Sequence, residues 1–332
     1  MNSDTYTMRQ ALHAAFDSAL AEDPTVVMMG EDIADPGGGV TGLTQGLSTK
    51  YGKERVRDTP ISEAAIAGAA IGAALDGMRP VAEIMIMDFV GIALDQIANH
   101  AAKARFMSGG RTPCPVTFRT PVYGGSGNGA THSQSLEAWF MHLPGLKVVV
   151  PSSPADAEGL LRSAIFDPDP CVFIDETALH GTKGPRLDTP DRKVPLGKAD
   201  VKRPGTDVTV ITYGRGVRDA LTAAESLARD GIEAEVVDLR TLLPLDLPTV
   251  LESVGRTRRA VVVHYAVEFA GPGAELAARI SHDLFGRLAA PVVRVGARFT
   301  PLPASTRLES QVNPSPRRIE EAVRKVMEDG RG

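Results

Sequence analysis

The feature that most constrains this chain is a repeated succession of one short apolar run and one stretch of helical spacing, broken once. Met8, Leu12, Ala15, Phe16 and Ala19 recur at helical intervals, and the run Val26-Val27-Met28-Met29 follows them. Pro80 to Met87 reads as a strand, and Phe89 to Arg105 reads as a helix with Val90, Ala93, Leu94, Ile97 and Ala101 on one face. Val116 to Phe118, Leu146 to Val150 and Cys171 to Ile174 are further strands, with a helix starting near Ala155 between the last two. Strands that alternate with helices predict an α/β fold with a mostly parallel sheet covered on both faces.

The alternation stops from His180 to Asp207, where Gly, Pro and charged residues crowd together, and then restarts. Strands are predicted at Val208 to Thr212, Ala234 to Leu239 and Ala260 to Val263. Helices are predicted at Val217 to Ala228, Leu245 to Val254, Gly273 to Leu288 and Arg317 to Met327. The expected organisation is an N-terminal domain over 1–185, a linker over 186–206 and a smaller C-terminal α/β domain over 207–332. A length of 332 residues with 43% hydrophobic content is enough for two cores.

Thirty-six basic against forty-one acidic residues give a net charge of −5, which provides no global basic excess for a nucleic-acid partner. No apolar run reaches bilayer length, and the start MNSDTYTMRQ has neither the basic flank nor the apolar core of a signal peptide, so a cytoplasmic protein is expected. Cys114 and Cys171 have no Cys or His neighbour at metal-ligand spacing and read as buried reduced thiols. A dinucleotide fingerprint, a phosphate-binding loop, a zinc-peptidase helix and a nucleophile elbow are all missing, which removes support for kinase, nucleotidase and protease readings.

Three constellations remain. In DTPISEAAIAGAA, Pro60 turns the chain, Ser62 is a candidate cap and Glu63 enters the first turn of a helix; by physics alone this acid is more often a dipole-stabilising residue. In Met87-Asp88-Phe89 an aromatic follows a strand, either as core or as cover for a flat ligand. In GGSGNGATHSQS, Gly124, Gly125, Gly127 and Gly129 permit unusual backbone geometry ahead of His132, which either is incidental or transfers protons near neutrality.

Taken together, the motifs GED at Gly30 to Asp32, DTPISEA at Asp58 to Ala64, RPVAEIMIMDF at Arg79 to Phe89 and DQIANHAAKARFMSGG at Asp95 to Gly110 resemble one family. HSQSLEAWFMHLPGLKVVVPS at His132 to Ser152, VPLGKADVKRPGTDVTVITYGRGV at Val194 to Val217 and AEVVDLRTLLPLD at Ala234 to Asp246 continue the match in order over nearly the whole chain. The chain resembles the beta subunit of the thiamine-diphosphate-dependent E1 component of 2-oxo-acid dehydrogenase complexes, of pyruvate, branched-chain or acetoin type. The resemblance implies a two-domain transketolase-like chain, with a pyrimidine-binding domain followed by a transketolase-like C-terminal domain.

It also implies roles. Glu63 falls at the acid that hydrogen-bonds N1′ of the cofactor aminopyrimidine, Phe89 at the aromatic that covers it, and Glu31 at an acid of the same region. His132 falls at the imidazole that assists acyl transfer to a lipoyl arm. Ala164, Ile165, Asp167 and Asp169 fall in a segment that wraps a potassium ion, largely through backbone oxygens. No GDG motif occurs in the chain, so the magnesium and diphosphate ligands are expected from an alpha subunit, in an alpha2-beta2 assembly that hands its acyl group to a lipoyl-bearing E2. The implied reaction is oxidative decarboxylation of a 2-oxo acid, pyruvate or branched-chain. An acetoin dehydrogenase, a split non-oxidative transketolase or carboligase, and a catalytically silent assembly subunit are the alternatives. Two positions depart from the family pattern: Tyr265 in VVVHYA replaces a common acid, and Ala304 in RFTPLPASTRLE replaces a common Pro.

Overall fold

The computed structural model of the protein describes residues 5–329, so the first four positions of the start read above, and the last three of the chain, lie outside the described residues. The chain forms two compact units. One contains the residues up to Tyr123 together with Trp139–Leu196; the other contains Gly124–Ala138 and the residues from Gly197 onward.

The strands of the first unit are β1 (Thr5–Thr7), β2 (Val26–Gly30), β3 (Val56–Asp58), β4 (Arg79–Glu83), β5 (Thr117–Val122), β6 (Lys147–Val149), β7 (Cys171–Glu176) and β8 (Lys183–Pro185). From β2 to β7 they form one array in the order β6-β7-β5-β4-β2-β3, with every pairing parallel. The remaining two, β1 and β8, pair antiparallel beside it. Thr7 and Gln10 close a reciprocal capping box at the start of the helix Met8–Glu22, whose buried Met8, Leu12, Ala15, Phe16 and Ala19 pack with the helix Pro154–Ile165. The predicted 3.6-residue stripe is thus a true core face.

Two predicted elements differ in extent. The strand from Pro80 ends at Glu83, and in the turn that follows Ile84 and Met87 are fully covered without extending the ladder. The single predicted helix over 89–105 is a 3-10 turn at Met87–Phe89, a helix at Val90–Asp95, a widened π turn at Gln96–Ala101 and a helix at Ala102–Met107. Apolar spacing reports the helical face but not the extra residue in the π turn.

The second unit holds β9 (Asp200–Arg203), β10 (Val208–Thr212), β11 (Ala234–Asp238), β12 (Thr241–Leu243), β13 (Ala260–Val267) and β14 (Val293–Ala297). Its sheet runs β14-β13-β10-β11-β9, parallel except for the antiparallel edge strand β9. The Gly- and Pro-rich segment therefore carries short edge strands, β8 and β9, whose limited apolar content concealed them. Val208, Val210, Val236, Val261 and Val263 meet the buried faces of the helices Arg215–Ala228 and Pro316–Asp329 in the core. Among the described residues no helix is long and apolar enough to cross a membrane. Parallel pairing has one consequence for chemistry: the C-terminal ends of β2, β3 and β4 open on the same edge of the first sheet, the edge where α/β sheets bind ligands.

Candidate active site

Three carboxylates converge on that edge. Glu31 follows the last residue of β2, Glu63 opens the helix Glu63–Leu75 after β3, and Glu83 ends β4; their exposures are 6%, 4% and 5%. Ionised carboxylates are rarely buried unless paired, so three at one edge need an explanation. Backbone space at Gly30 is part of it, because a Cβ there would lie 2.9 Å from the Glu83 Cβ. Burial, followed by the neighbouring charges of Glu63, Asp32 and Glu83, pushes the Glu31 carboxyl above its ordinary 4.5. Its Oε1 is buried with no hydrogen-bond partner. Glu63 sits at the positive end of its helix, as expected, but Ser62 makes no side-chain cap there: the cap side chain predicted from sequence is not used as one. Phe89 closes the 3-10 turn after β4, half-buried.

A buried cation anchors the acidic edge. Arg119, in β5, donates from Nη1 to Glu83 Oε2 at 2.7 Å and makes a bidentate pair with Asp175 of β7, Nε to Oδ1 at 2.7 Å and Nη2 to Oδ2 at 2.8 Å. His180 Nε2 lies 2.7 Å from Asp175 Oδ2. Burial alone would raise the Asp175 carboxyl; the Arg119 charge and the His180 hydrogen bond override it and hold the group well below the usual carboxylate range. Sequence reasoning missed this network. The available signal was an arginine directly after Val116-Thr117-Phe118, a charge in the middle of a strand with both faces covered.

His132 belongs to the glycine-rich loop 124–138, within the second unit, and is exposed, with Nδ1 3.0 Å from Thr131 Oγ1. Glu309 is 2% exposed and accepts from the amides of Gly125 at 2.5 Å and Gly127 at 3.0 Å. Arg215 donates to Gly124 O at 2.7 Å and stacks over the Tyr265 ring at 3.7 Å from its centroid. Tyr265 donates from its hydroxyl to Asp219. At the far end of the loop, Tyr213 donates to Glu137 at 2.7 Å. A cavity of about 520 Å³ beside the loop is lined by Thr131, Gln134, Tyr265, Phe299 and Leu302 among others. Both departures from the family pattern touch this region, since a Cβ on Gly127 would lie 2.7 Å from Ala304 O.

The segment holding Ala164, Ile165, Asp167 and Asp169 closes the helix Pro154–Ile165 and runs into β7. The carbonyls of Ile165 and Asp167 each accept from Arg79 Nη1 at 3.4 Å. Lys147 Nζ reaches both Asp167 carboxylate oxygens at 2.6 Å, and Arg105 pairs with Asp169. Cys114 and Cys171 are buried and unpaired, and burial pushes the Cys114 thiol up to about 11.

Comparison with known proteins matches residues 4–180 to the transketolase pyrimidine binding domain and residues 197–319 to the transketolase C-terminal domain. The chain is 46% identical to the beta subunit of acetoin:2,6-dichlorophenolindophenol oxidoreductase from Cupriavidus necator, covering 98% of each chain. It is 44% identical to the pyruvate dehydrogenase E1 component subunit beta of Bacillus subtilis, over 97% of this chain and 98% of that one. Among solved structures it is similar to a split gene transketolase described as an inactive beta4 tetramer, with a TM-score of 0.80, 25% identity, and 98% and 99% of the two chains covered.

Two outcomes follow from the charge pattern. Arg119→Leu leaves Asp175 and Glu83 without their buried counter-charge and is expected to cost about 3–5 kcal/mol in urea unfolding; a loss under about 1 kcal/mol would contradict the anchoring role. For Glu31, a folded value above 4.5 means that the stability it contributes is complete below 4.5 and is lost as pH rises through the folded value. Glu31→Gln should therefore gain stability relative to the parent on going from about pH 4 to about pH 8, and an equal difference at both pH values would contradict the assignment.

Proposed function

The chain belongs to the family of E1 component beta subunits built from transketolase pyrimidine-binding and C-terminal domains, and we propose that it supplies the pyrimidine-side half of a thiamine-diphosphate site in a 2-oxo-acid or acetoin dehydrogenase. The observation that carries this reading is the acidic edge, where Glu63 is buried at a helix start beside Glu31, whose buried Oε1 lacks a partner. The residues fit the group: an aminopyrimidine offers nitrogen atoms to buried carboxyls and a flat face to an aromatic. Glu63 would hold the proton shared with N1′, Glu31 would line the same ring, and the half-buried Phe89 would cover its face. When bound, thiamine diphosphate supplies an electron sink for the pair released as a 2-oxo acid loses carbon dioxide.

His132 has a separate task in this reading. The imidazole, on an exposed loop, would deliver a proton to the lipoyl sulfur released when the dithiolane opens during acyl transfer. Magnesium and diphosphate ligands belong to an alpha subunit, since the chain carries no GDG motif, and the working assembly is an alpha2-beta2 tetramer feeding a lipoyl-bearing E2. A cytoplasmic location is supported by the bacterial relatives. Identities of 46% and 44% to acetoin- and pyruvate-named relatives keep both donors in the test, with branched 2-oxo acids beside them.

A potassium ion at Ala164, Ile165, Asp167 and Asp169 fits the same frame. The carbonyls of Ile165 and Asp167 already turn toward one cationic atom, and each keeps a second lone pair; the Asp167 and Asp169 carboxylates are taken by Lys147 and Arg105, which leaves backbone oxygens as the ligands. Replacing sodium by potassium at constant ionic strength should raise the Tm, and identical melting in both salts would remove the ion from the account.

The decisive experiment is single-turnover acyl transfer to a lipoyl domain by the chain copurified with its alpha partner, with thiamine diphosphate and magnesium, across pyruvate, branched 2-oxo acids and acetoin. Product from one donor is expected, and Glu63→Gln should lower that turnover about 10²–10⁴-fold. Unchanged turnover in Glu63→Gln would overturn the assignment of the acid. Donor consumption passed to an aldehyde in place of the lipoyl domain would establish the non-oxidative alternative, which the split gene transketolase likeness brings forward.

A further inference from the structure

The loop that presents His132 is built around a buried carboxylate. Glu309 lies 177 residues further along the chain, almost fully buried, and its two oxygens accept from the amides of Gly125 and Gly127. A carboxylate is the one side-chain type with two acceptor atoms and no donor, so it meets two converging amides without conflict, and the bonds are charge-assisted. The glycines are required by that geometry. Gly125 and Gly127 sit at φ +95° and +73°, and the Gly127 backbone approaches the Ala304 carbonyl too closely for a Cβ.

We propose that Glu309 is a positioning residue for His132: the Glu309 clamp fixes the glycine loop and thereby the place from which the imidazole acts. Arg215 is the second arm of the clamp, donating to Gly124 O while its guanidinium lies over the Tyr265 ring. Tyr213 on Glu137 secures the far end, so His132 is displayed between two anchored points. Tyr265 backs Arg215, and Ala304 lies against Gly127 and Gly129, so both departures from the family pattern fall on the clamp and neither falls on the acidic edge.

This inference rests on the proposed role of His132, and the test separates the two. In the complex assembled with the alpha subunit, the ratio of acyl transfer to a lipoyl domain over donor consumption with a dye acceptor is measured for the parent, His132→Ala, Glu309→Ala, Glu309→Gln and Gly127→Ala. Hydrogen exchange of the 124–134 peptide is measured on the same chains, and thermal melting confirms that they fold. The ratio is expected to fall about 10–100-fold in Glu309→Ala, less in Glu309→Gln, with loop exchange at least about tenfold faster. Should Glu309→Ala not fold, Gly127→Ala decides, because it displaces the loop without altering the carboxylate. A ratio held within twofold in Glu309→Ala or in its substitute, while His132→Ala lowers it, overturns the clamp and leaves the His132 role intact. An unchanged ratio in His132→Ala removes the role on which the clamp depends, and with it the inference.

Discussion

The buried guanidinium of Arg119 is the interaction on which the acidic edge depends. It bridges three adjacent parallel strands, meeting Glu83 of β4 and Asp175 of β7 from its own place in β5. Burying such a network without complete pairing costs several kcal/mol per ion, whereas bidentate geometry with His180 on the outer oxygen satisfies it. The charge balance also explains Glu31. Burial, followed by the neighbouring charges of Glu63, Asp32 and Glu83, disfavours ionisation of Glu31, and the last of these charges is paired with Arg119. Carboxyl groups in one small region are thereby given different environments, the arrangement by which acid–base sites divide their tasks.

The second unit solves a different problem, that of holding an exposed imidazole on a loop of glycines. Flexible backbone is needed for the close approach to Ala304, and its entropy is restrained by fixed hydrogen bonds to Glu309 and from Arg215. One device sets protonation through buried charge and the other sets position through backbone amides. Neither is replaceable by hydrophobic packing alone, since packing has no direction and carries no charge.

Much of the scaffold was legible in the sequence because its cause is local. Helical spacing located Met8 to Ala19, and β-branched runs located the strands at Val26, Val208 and Val261. Glu63 was legible as a first-turn acid, although its predicted cap, Ser62, makes no capping bond. The π turn at Gln96–Ala101 and the edge strands β8 and β9 left no periodic signal. Arg119, Asp175 and Glu309 escaped for a more basic reason. Each acts through a partner distant in the chain: 56 residues separate Arg119 from Asp175, and 184 separate Glu309 from Gly125. Glu309 closes the quoted motif RFTPLPASTRLE, yet nothing in that string says which amides it meets.

The central claim is that Glu63 governs a proton on the cofactor pyrimidine. The most direct measurement is the ¹⁵N resonance of thiamine diphosphate labelled at N1′, recorded on the assembled complex with the parent chain and with Glu63→Gln. The account predicts a protonated N1′ signal in the parent that is lost in the variant, while the label remains bound. The same N1′ signal in both would contradict it.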